Sequence, residues 1–286
     1  MGMAVGSDMA TQQLTELESR EQDLRARLRA FGSVLLGYSG GVDSAYLAAV
    51  AVETLGPERV LAVTGHSASY PEAQRNVARD VAVRLGLPHI EIETDELSNP
   101  NYAANPSNRC YFCKSELWGK LARIAQERGI DVIIDGSNAD DARDHRPGFR
   151  AAAEYDVRSP LLEAGLTKAD IRTLSRARDL VTWDQPSAPC LSSRIPYGLA
   201  VTPERLRQIE CAEEILRREG LRVFRVRHHG SCARIEASAA EMQHALNRGP
   251  VLVRELKALG FARVLLDVDG YRQGSLNEAL PLLGAR

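Results

Sequence analysis

The chain has 286 residues, with 36 basic and 38 acidic side chains and a formal net charge of -2. This length suggests one large or two modest domains, and the charge balance argues against a dedicated polyanion-binding protein. No apolar run reaches the ~18 residues of a membrane span, and the N-terminus lacks the features of a signal peptide. A cytoplasmic protein is therefore predicted, whose five cysteines serve cysteine chemistry or metal ligation rather than a disulfide framework.

The first 180 residues alternate short apolar strands with helical patterns. A loose tail is predicted over residues 1–16 and an amphipathic helix from Leu17 to Ala30. Strands are predicted at residues 34–38, 60–64, 89–92 and 132–135, and helices at residues 45–55, 71–85 and 115–128. This alternation predicts an α/β fold, with a parallel sheet and helices on both of its faces.

The pattern changes in the remainder of the chain. Thr167 and Asp170 resemble a capping box for a helix to about Arg178, and a proline-rich loop covers residues 183–203. Beyond it we predict a helix from Pro203, strands at 221–228, 233–237 and 263–268, and a helix after Ser238. The sequence thus predicts a main domain over residues 17–182 and a smaller α+β domain over residues 183–286.

The most informative segment is a glycine loop that follows the first predicted strand and opens a helix. It reads Ser39-Gly40-Gly41-Val42-Asp43-Ser44. Two glycines let the backbone turn tightly, and the serine hydroxyls with the free N–H groups of a helix start favour phosphate. Asp43 suits a magnesium ion that bridges phosphates. Neither the Walker pattern nor G-x-G-x-x-G is present, so another type of phosphate loop is predicted.

This loop resembles the pyrophosphate (PP) loop of the N-type ATP pyrophosphatases, a group that includes GMP synthetase, NAD synthetase, argininosuccinate synthetase and the tRNA thiolases. The resemblance implies that ATP is cleaved between its α and β phosphates and that an acceptor oxygen becomes adenylated. It also implies ligand roles for five loop residues: Ser39, Gly40, Gly41 and Ser44 for ATP, and Asp43 for both ATP and Mg²⁺.

Three cysteines lie in motifs of their own. Cys110 and Cys113 form a C-x-x-C pair, and Cys190 lies in a proline-containing segment together with Arg194. A C-x-x-C pair alone is compatible with a redox pair, half of a zinc site or cluster ligands. Three thiolates with an open fourth position suit a [4Fe–4S] cluster, and Arg194 is among the basic neighbours that favour thiolate.

Several further blocks resemble the LarE family, in the same order along the chain. They are Asp135-Gly136-Ser137-Asn138-Ala139-Asp140-Asp141, His145-Arg146-Pro147-Gly148, Ser159-Pro160-Leu161-Leu162, the segment from Pro189 to Gly198, Phe224 to Gly230, Ala233 to Glu236, and Gly270-Tyr271-Arg272. The resemblance extends from about Phe31 to about Leu280. LarE proteins are sulfur transferases in the synthesis of the nickel-pincer nucleotide cofactor.

The LarE resemblance implies adenylation of pyridinium-3,5-biscarboxylic acid mononucleotide and conversion of its carboxylates to thiocarboxylates. Cys190 falls at the position of a sacrificial cysteine, whereas Cys110 and Cys113 match a subgroup that holds a [4Fe–4S] cluster on three cysteines. Sulfide relay by the cluster is the favoured interpretation, and sacrifice of Cys190 stays open. The resemblance also implies a homo-oligomer, with a hexamer suggested, and other proteins of nickel-pincer cofactor synthesis as partners.

Charged residues of the C-terminal part complete the predicted site. Arg225, Arg227 and Arg272 are candidate clamps for the substrate phosphate, since guanidinium binds phosphate through two hydrogen bonds. The alternative interpretation is that these arginines only form the solvent-exposed face of a strand. The resemblance suggests Glu213 and Glu236 as ligands of a second divalent metal, and Asp140 and Asp141 as nucleotide or metal contacts or a helix cap.

The sequence is also compatible with three other functions. A tRNA thiolase shares the loop and the cysteines, but the slightly acidic charge makes nucleic acid an unlikely partner. An ammonia-dependent ligase like NAD synthetase leaves Cys110, Cys113 and Cys190 without a role. A non-catalytic nucleotide sensor does not need the metal ligand Asp43.

Overall fold

The computed structural model describes residues 4–143, 147–272 and 274–276, with side chains from Thr15 onward except that of Arg143. His145 and Arg146 of the LarE-like blocks, and the end of the resemblance near Leu280, lie outside the described residues. The chain forms two compact units. The first takes the chain up to His66, Glu72–Thr94 and Cys113–Gln185, and the second takes Ser67–Pro71, Asp95–Phe112 and the chain from Pro186 on.

The first unit is built on a parallel sheet. Its strands are β1 (Val34–Gly37), β2 (Val60–His66), β3 (His89–Glu93) and β4 (Val132–Ile134), in the order β3-β2-β1-β4. Its helices are α1 (Ala4–Phe31), α2 (Val42–Leu55), α3 (Glu72–Arg84), α5 (Arg109–Arg128, shared with the second unit), α6 (Gly148–Glu154), α7 (Pro160–Glu163) and α8 (Lys168–Ala177), whereas α4 (Pro100–Ala103) belongs to the second unit. Parallel strands need crossover helices, and the sequence supplies one after each strand. The predicted α/β fold class is confirmed.

Helix α1 starts earlier in the chain than the amphipathic helix predicted from Leu17. It begins at Ala4 rather than near Leu17. The segment in front of Leu17 contains no proline, and once the following turns are packed, each further helical residue adds a hydrogen bond at little cost. Leu24 and Leu28 of α1 are fully buried in the core of the first unit.

The second unit combines a small sheet with helices. Its strands are β5 (Phe224–His229), β6 (Cys232–Ala237) and β7 (Arg263–Leu266), and its further helices are α9 (Pro203–Arg218), α10 (Met242–Asn247) and α11 (Gly249–Ala258). Strand β6 pairs antiparallel with β5 and parallel with β7. Phe224 and Val226 pack in its core with Leu216 and Leu252. None of the helices that the structure describes is long and apolar enough to cross a membrane.

A pH-dependent ion pair links α3 to β3 in the first unit. Glu91 accepts hydrogen bonds from Arg79 (Nε–Oε1 2.6 Å) and Arg75 (Nη2–Oε2 2.7 Å), and these lower the pKa of Glu91 to about 2. A lowered carboxyl pKa stabilises the fold above the unfolded value and loses that effect as pH falls. We expect Glu91→Gln to cost about 1 kcal/mol near pH 7 in urea unfolding, with the difference shrinking as pH falls below about 4.5. Glu93→Gln, an exposed neighbour, is the control, and a difference independent of pH would contradict the prediction.

Candidate active site

The glycine loop connects the end of β1 to the start of α2, as the sequence predicts. Gly40 has a φ of +62°, a conformation that residues with a side chain rarely adopt. A Cβ atom on Gly40 would lie 2.5 Å from the Cα atom of Ala78 on α3. Glycine is therefore required here both by the backbone conformation and by the packing of α3 against the loop.

Hydrogen bonds fix the conformation of the glycine loop at the start of α2. The hydroxyls of Ser39 and Ser44 lie 3.1 Å apart, and the Nε2 amide of Gln74 donates to the carbonyl of Ser39 at 2.9 Å. The residue that precedes α2, Gly41, has no side chain to cap the first N–H groups of the helix. Such N–H groups, together with the helix dipole, bind anions. The described geometry suits a phosphate group.

Substituting Gly40 tests this packing. Alanine would impose an unfavourable φ and an overlap with Ala78, so we expect Gly40→Ala to lower the free energy of unfolding by about 2–5 kcal/mol. Gly41→Ala is the matched control, because its Cβ atom would meet only Ser39 Oγ at 3.5 Å and the φ of Gly41 is -76°. Equal stability of the two variants in urea unfolding would show that α3 does not constrain Gly40.

Asp43 lies in the first turn of α2 and forms an ion pair that the sequence did not reveal. Its Oδ2 atom accepts a hydrogen bond from Lys168 Nζ at 2.5 Å. Its Oδ1 atom is buried and has no hydrogen-bond partner among the described residues. A buried carboxylate oxygen without a partner is costly, and it is a suitable ligand for a hard cation such as Mg²⁺. The donor set at Asp43 thus fits the metal that the PP-loop resemblance implies.

Lys168 is the residue of this candidate site that sequence reasoning missed. It is the first residue of α8, directly after the N-cap Thr167, whose capping box with Asp170 is confirmed. A cation in the first turn of a helix is disfavoured by the helix dipole. A lysine at the first position of α8 was therefore the sequence feature that could have indicated this contact, because its charge needs an acidic partner outside the helix. If a metal ion were bound at Asp43, the ammonium group of Lys168 would be available for a phosphate.

The loop after β4 packs beside the glycine loop. A Cβ atom on Gly136 would lie 3.0 Å from the backbone nitrogen of Ser44. Asp140 Oδ2 accepts the N–H of Lys168 at 2.8 Å, and Asp141 Oδ2 accepts the N–H of Asn138 at 3.0 Å. The helix-cap interpretation of Asp140 agrees with these bonds, and a direct nucleotide or metal contact stays a prediction.

In the second unit, the Cys190 segment is organised by a buried arginine. Arg194 has an exposed fraction of 2% and donates two hydrogen bonds to Glu213, at 2.8 and 3.0 Å. Its Nη1 atom also donates to the carbonyls of Pro189 (2.7 Å) and Cys190 (3.1 Å). Cys190 itself is partly exposed. Arg194 therefore fixes the backbone around a thiol that remains accessible.

The two glutamates predicted as metal ligands are paired with arginines. Burial alone would raise the pKa of Glu213, but the charge and hydrogen bonds of Arg194 outweigh it, and the pKa lies below its usual value. Glu236 accepts hydrogen bonds from Arg227 (2.8 Å) and Arg234 (2.9 Å). These contacts do not support binding of a second divalent metal by Glu213 and Glu236, and that site stays a prediction.

The three candidate phosphate clamps differ in their surroundings. Arg225 is buried, its guanidinium donates to the carbonyls of Phe224 and Ser187, and it lies over the ring of Tyr271. These acceptors are neutral, and burial, with the charges of Arg194 and Arg227, lowers the pKa of Arg225 to about 10. Arg227 is also buried but is paired with Glu236. The exposed Arg272 lies 3.8 Å from Asp269.

Cys110 and Cys113 lie in the first two turns of α5, which begins at Arg109 rather than at the predicted Ser115. Cysteine and aromatic residues have low helix propensity, which conceals these turns in the sequence. Cys113 belongs to the first unit, whereas Cys110 and Cys190 belong to the second. Within the described part of the chain, no group of three His, Cys, Asp or Glu residues is arranged to hold a metal. The residues therefore do not establish a fit to the predicted cluster, which stays a prediction.

Comparison with known proteins places these features in a family. A family described as NAD synthase matches residues 16–108. The chain is 42% identical to an uncharacterised protein of Synechocystis sp. over 92% of this chain and 99% of the relative. It is 33% identical to the pyridinium-3,5-bisthiocarboxylic acid mononucleotide synthase of Lactiplantibacillus plantarum, over 93% of this chain and 97% of the relative. The chain belongs to the LarE family. The predicted resemblance is confirmed, and LarE-type sulfur transfer by an enzyme of the PP-loop superfamily is supported.

Weaker similarity connects this LarE-family chain to other PP-loop enzymes. It is 24% identical to a GMP synthase subunit of Archaeoglobus fulgidus, over 71% of this chain and 70% of the relative. An NH₃-dependent NAD⁺ synthetase of Chlorobaculum tepidum is 36% identical over 27% of each chain. These matches agree with the parallel sheet and the glycine loop of the first unit.

Proposed function

We propose that the protein is an ATP-dependent sulfurtransferase that adenylates the carboxylates of pyridinium-3,5-biscarboxylic acid mononucleotide, releases pyrophosphate and forms thiocarboxylates. The observation that carries the proposal is Asp43, with one oxygen paired to Lys168 and the other buried without a described partner on a glycine loop. The family and the name of the relative from L. plantarum support the substrate class.

The first half of the reaction uses the residues of the first unit. The N–H groups at the start of α2 and the hydroxyls of Ser39 and Ser44 bind the phosphates of ATP. A magnesium ion, when bound, neutralises phosphate charge and polarises the phosphoryl group. Asp43 would hold that ion, and Lys168 would bind a phosphate oxygen. A substrate carboxylate then displaces pyrophosphate at the α phosphorus, which gives the acyl adenylate.

The second half exchanges the adenylate for sulfur. The thiolate of Cys190 attacks the activated carbonyl carbon, and the carbon–oxygen bond to AMP breaks, so that a thioester forms and AMP leaves. In the sacrificial route, loss of the Cα proton and cleavage of the Cβ–Sγ bond release the thiocarboxylate and leave dehydroalanine at position 190. A [4Fe–4S] relay on Cys110, Cys113 and Cys190 is the sulfur source that the LarE resemblance favours, and it stays a prediction.

Substrate binding in this proposal relies on two buried arginines, Arg225 and Arg227, and on the exposed Arg272. Arg225 has neutral hydrogen-bond acceptors, so its positive charge favours an anion such as the substrate phosphate. Arg227 and Arg272 complete the proposed clamp. A homo-oligomer, and exchange of intermediates with other proteins of nickel-pincer synthesis, remain predictions from the family.

The experiment combines product analysis with mass spectrometry of the protein. With ATP, Mg²⁺ and the dicarboxylate mononucleotide, we expect pyrophosphate and thiocarboxylate to appear together. A loss of roughly 34 Da at Cys190 after one turnover would establish sacrifice, whereas oxidation would add mass. An unchanged mass after several turnovers would favour a relay. Absence of substrate-dependent pyrophosphate release would refute the proposed function.

A further inference from the structure

Two segments from the N-terminal half of the chain belong to the second unit, where they hold the backbone that directly follows Cys190. They are Ser67–Pro71 and Asp95–Phe112. The carbonyl of Ser69 accepts the N–H of Leu191 at 2.8 Å. The hydroxyls of Tyr102 and Ser192, both buried, lie 2.6 Å apart. The segment that carries Cys190 is thus fixed by residues distant in sequence.

Asn105 makes the largest set of these contacts. Its side-chain Nδ2 atom donates to the carbonyls of Pro196 (2.7 Å) and Leu199 (2.9 Å) and lies 3.3 Å from that of Ile195. Its own backbone carbonyl accepts the N–H of Gly198 at 2.9 Å. Asn105 is completely buried and has a φ of +56°. Asparagine tolerates this left-handed conformation better than most residues. It therefore meets both needs of this position, a positive φ and a side-chain amide that donates to the turn.

The same amide connects this turn to the start of α5. Arg109, also buried, donates from Nη1 to Asn105 Oδ1, and its guanidinium lies 5.4 Å from the ring centroid of Tyr197. Arg109 directly precedes Cys110, and Tyr197 lies in the turn that Asn105 binds. One side chain therefore joins the turn after the Cys190 segment to the residue before Cys110.

We propose that Asn105 is a positioning residue for Cys190. This inference rests on the proposed function, because the position of a thiol matters only if sulfur leaves from it or passes through it. Removing the amide leaves the carbonyls of residues 195, 196 and 199 without that donor, which favours displacement of the turn. A displacement of about 1 Å at a reacting group can lower a rate by about 100-fold.

The test separates the two half reactions. Asn105→Gly keeps the positive φ accessible and removes only the amide, whereas Asn105→Ala removes the amide and adds backbone strain. We expect pyrophosphate release and KM for ATP to stay within about twofold of the parent, and thiocarboxylate formed per pyrophosphate to fall about 100-fold in both variants. Asn101→Ala, an exposed residue four positions earlier, is the matched control.

Amide hydrogen exchange provides a readout that does not depend on activity. In Asn105→Gly, exchange at Leu199 and Val201 is expected to accelerate about tenfold or more, since the turn loses its side-chain anchor. Parental thiolation and parental exchange in Asn105→Gly, with a defect only in Asn105→Ala, would overturn the proposal in favour of a purely conformational role. If the parent protein makes no thiocarboxylate, the proposed function fails, and the exchange data still decide whether Asn105 anchors the turn.

Discussion

Asp43→Asn is expected to lower the rate of pyrophosphate release by about 10²–10³-fold at saturating ATP and Mg²⁺. The substitution preserves shape but removes the charge that pairs with Lys168 and that would hold the proposed metal ion. Charge stabilisation of the transferred phosphorus is the main catalytic contribution expected of this site, and loss of one such group has this magnitude. The measurement is release of pyrophosphate with the dicarboxylate substrate present.

Folding of the Asp43→Asn variant should be nearly unaffected. The Asp43–Lys168 pair is partly exposed, with side-chain exposed fractions of 22% and 34%, so its loss changes the free energy of unfolding by about 1 kcal/mol or less. Asp80→Asn, at an exposed site on α3 of the same unit, is the control for charge removal alone. A parental rate in Asp43→Asn would exclude Asp43 as the metal ligand, and with it the proposed adenylation site.

Arg194→Ala is expected to destabilise the protein by about 3–5 kcal/mol. Arg194 and Glu213 are both almost completely buried, so removing the arginine leaves a carboxylate without its main charge partner. Urea unfolding near pH 7 measures this loss. Arg217→Ala is a matched control, because Arg217 reaches the same glutamate at 3.7 Å from a more exposed position and should cost about 1 kcal/mol or less.

Two further measurements sharpen the Arg194 prediction. Because the pKa of Glu213 is lowered, the stability that the pair contributes is present above the ordinary glutamate pKa and is lost as pH falls through the folded value. The difference between parent and variant should therefore shrink in acid. The double variant Arg194→Met, Glu213→Leu should recover much of the loss, since a buried ion pair can often be replaced by apolar side chains. A double variant as unstable as Arg194→Ala would show that the hydrogen bonds to Pro189 and Cys190 dominate.

Local sequence patterns predicted the frame of the first unit and its glycine loop. Apolar runs such as Val34–Gly37, followed by glycines and then a helix pattern, are set by neighbouring residues, and the structure confirms the parallel sheet and the loop between β1 and α2. The prediction failed where a residue depends on a distant partner. Lys168 is 125 positions from Asp43, and Asn105 is about 90 positions from the turn that it binds.

Buried charge was the second limit of sequence reasoning. The LarE resemblance suggested Glu213 and Glu236 as metal ligands, and the sequence does not show which residues pair with them. The pairing of Glu213 with Arg194 and of Glu236 with Arg227 is visible only in the structure. Alternation along β5 places Arg225 and Arg227 on the face opposite Phe224 and Val226, but the sequence could not show that both faces are buried.

The discontinuous second unit limits how this protein can be divided. The chain passes from one unit to the other after His66, Pro71, Thr94, Phe112 and Gln185. A fragment that starts at Pro186 would carry Cys190 and Arg194 but would lack Ser69, Tyr102 and Asn105. Such a fragment would remove the hydrogen-bond partners of carbonyl and hydroxyl groups that are satisfied in the whole chain, at a cost of about 1–3 kcal/mol for each group that stays buried. Gene fusion or exchange at a single junction therefore cannot move the whole second unit to another protein, because two of its segments lie between segments of the first unit along the chain.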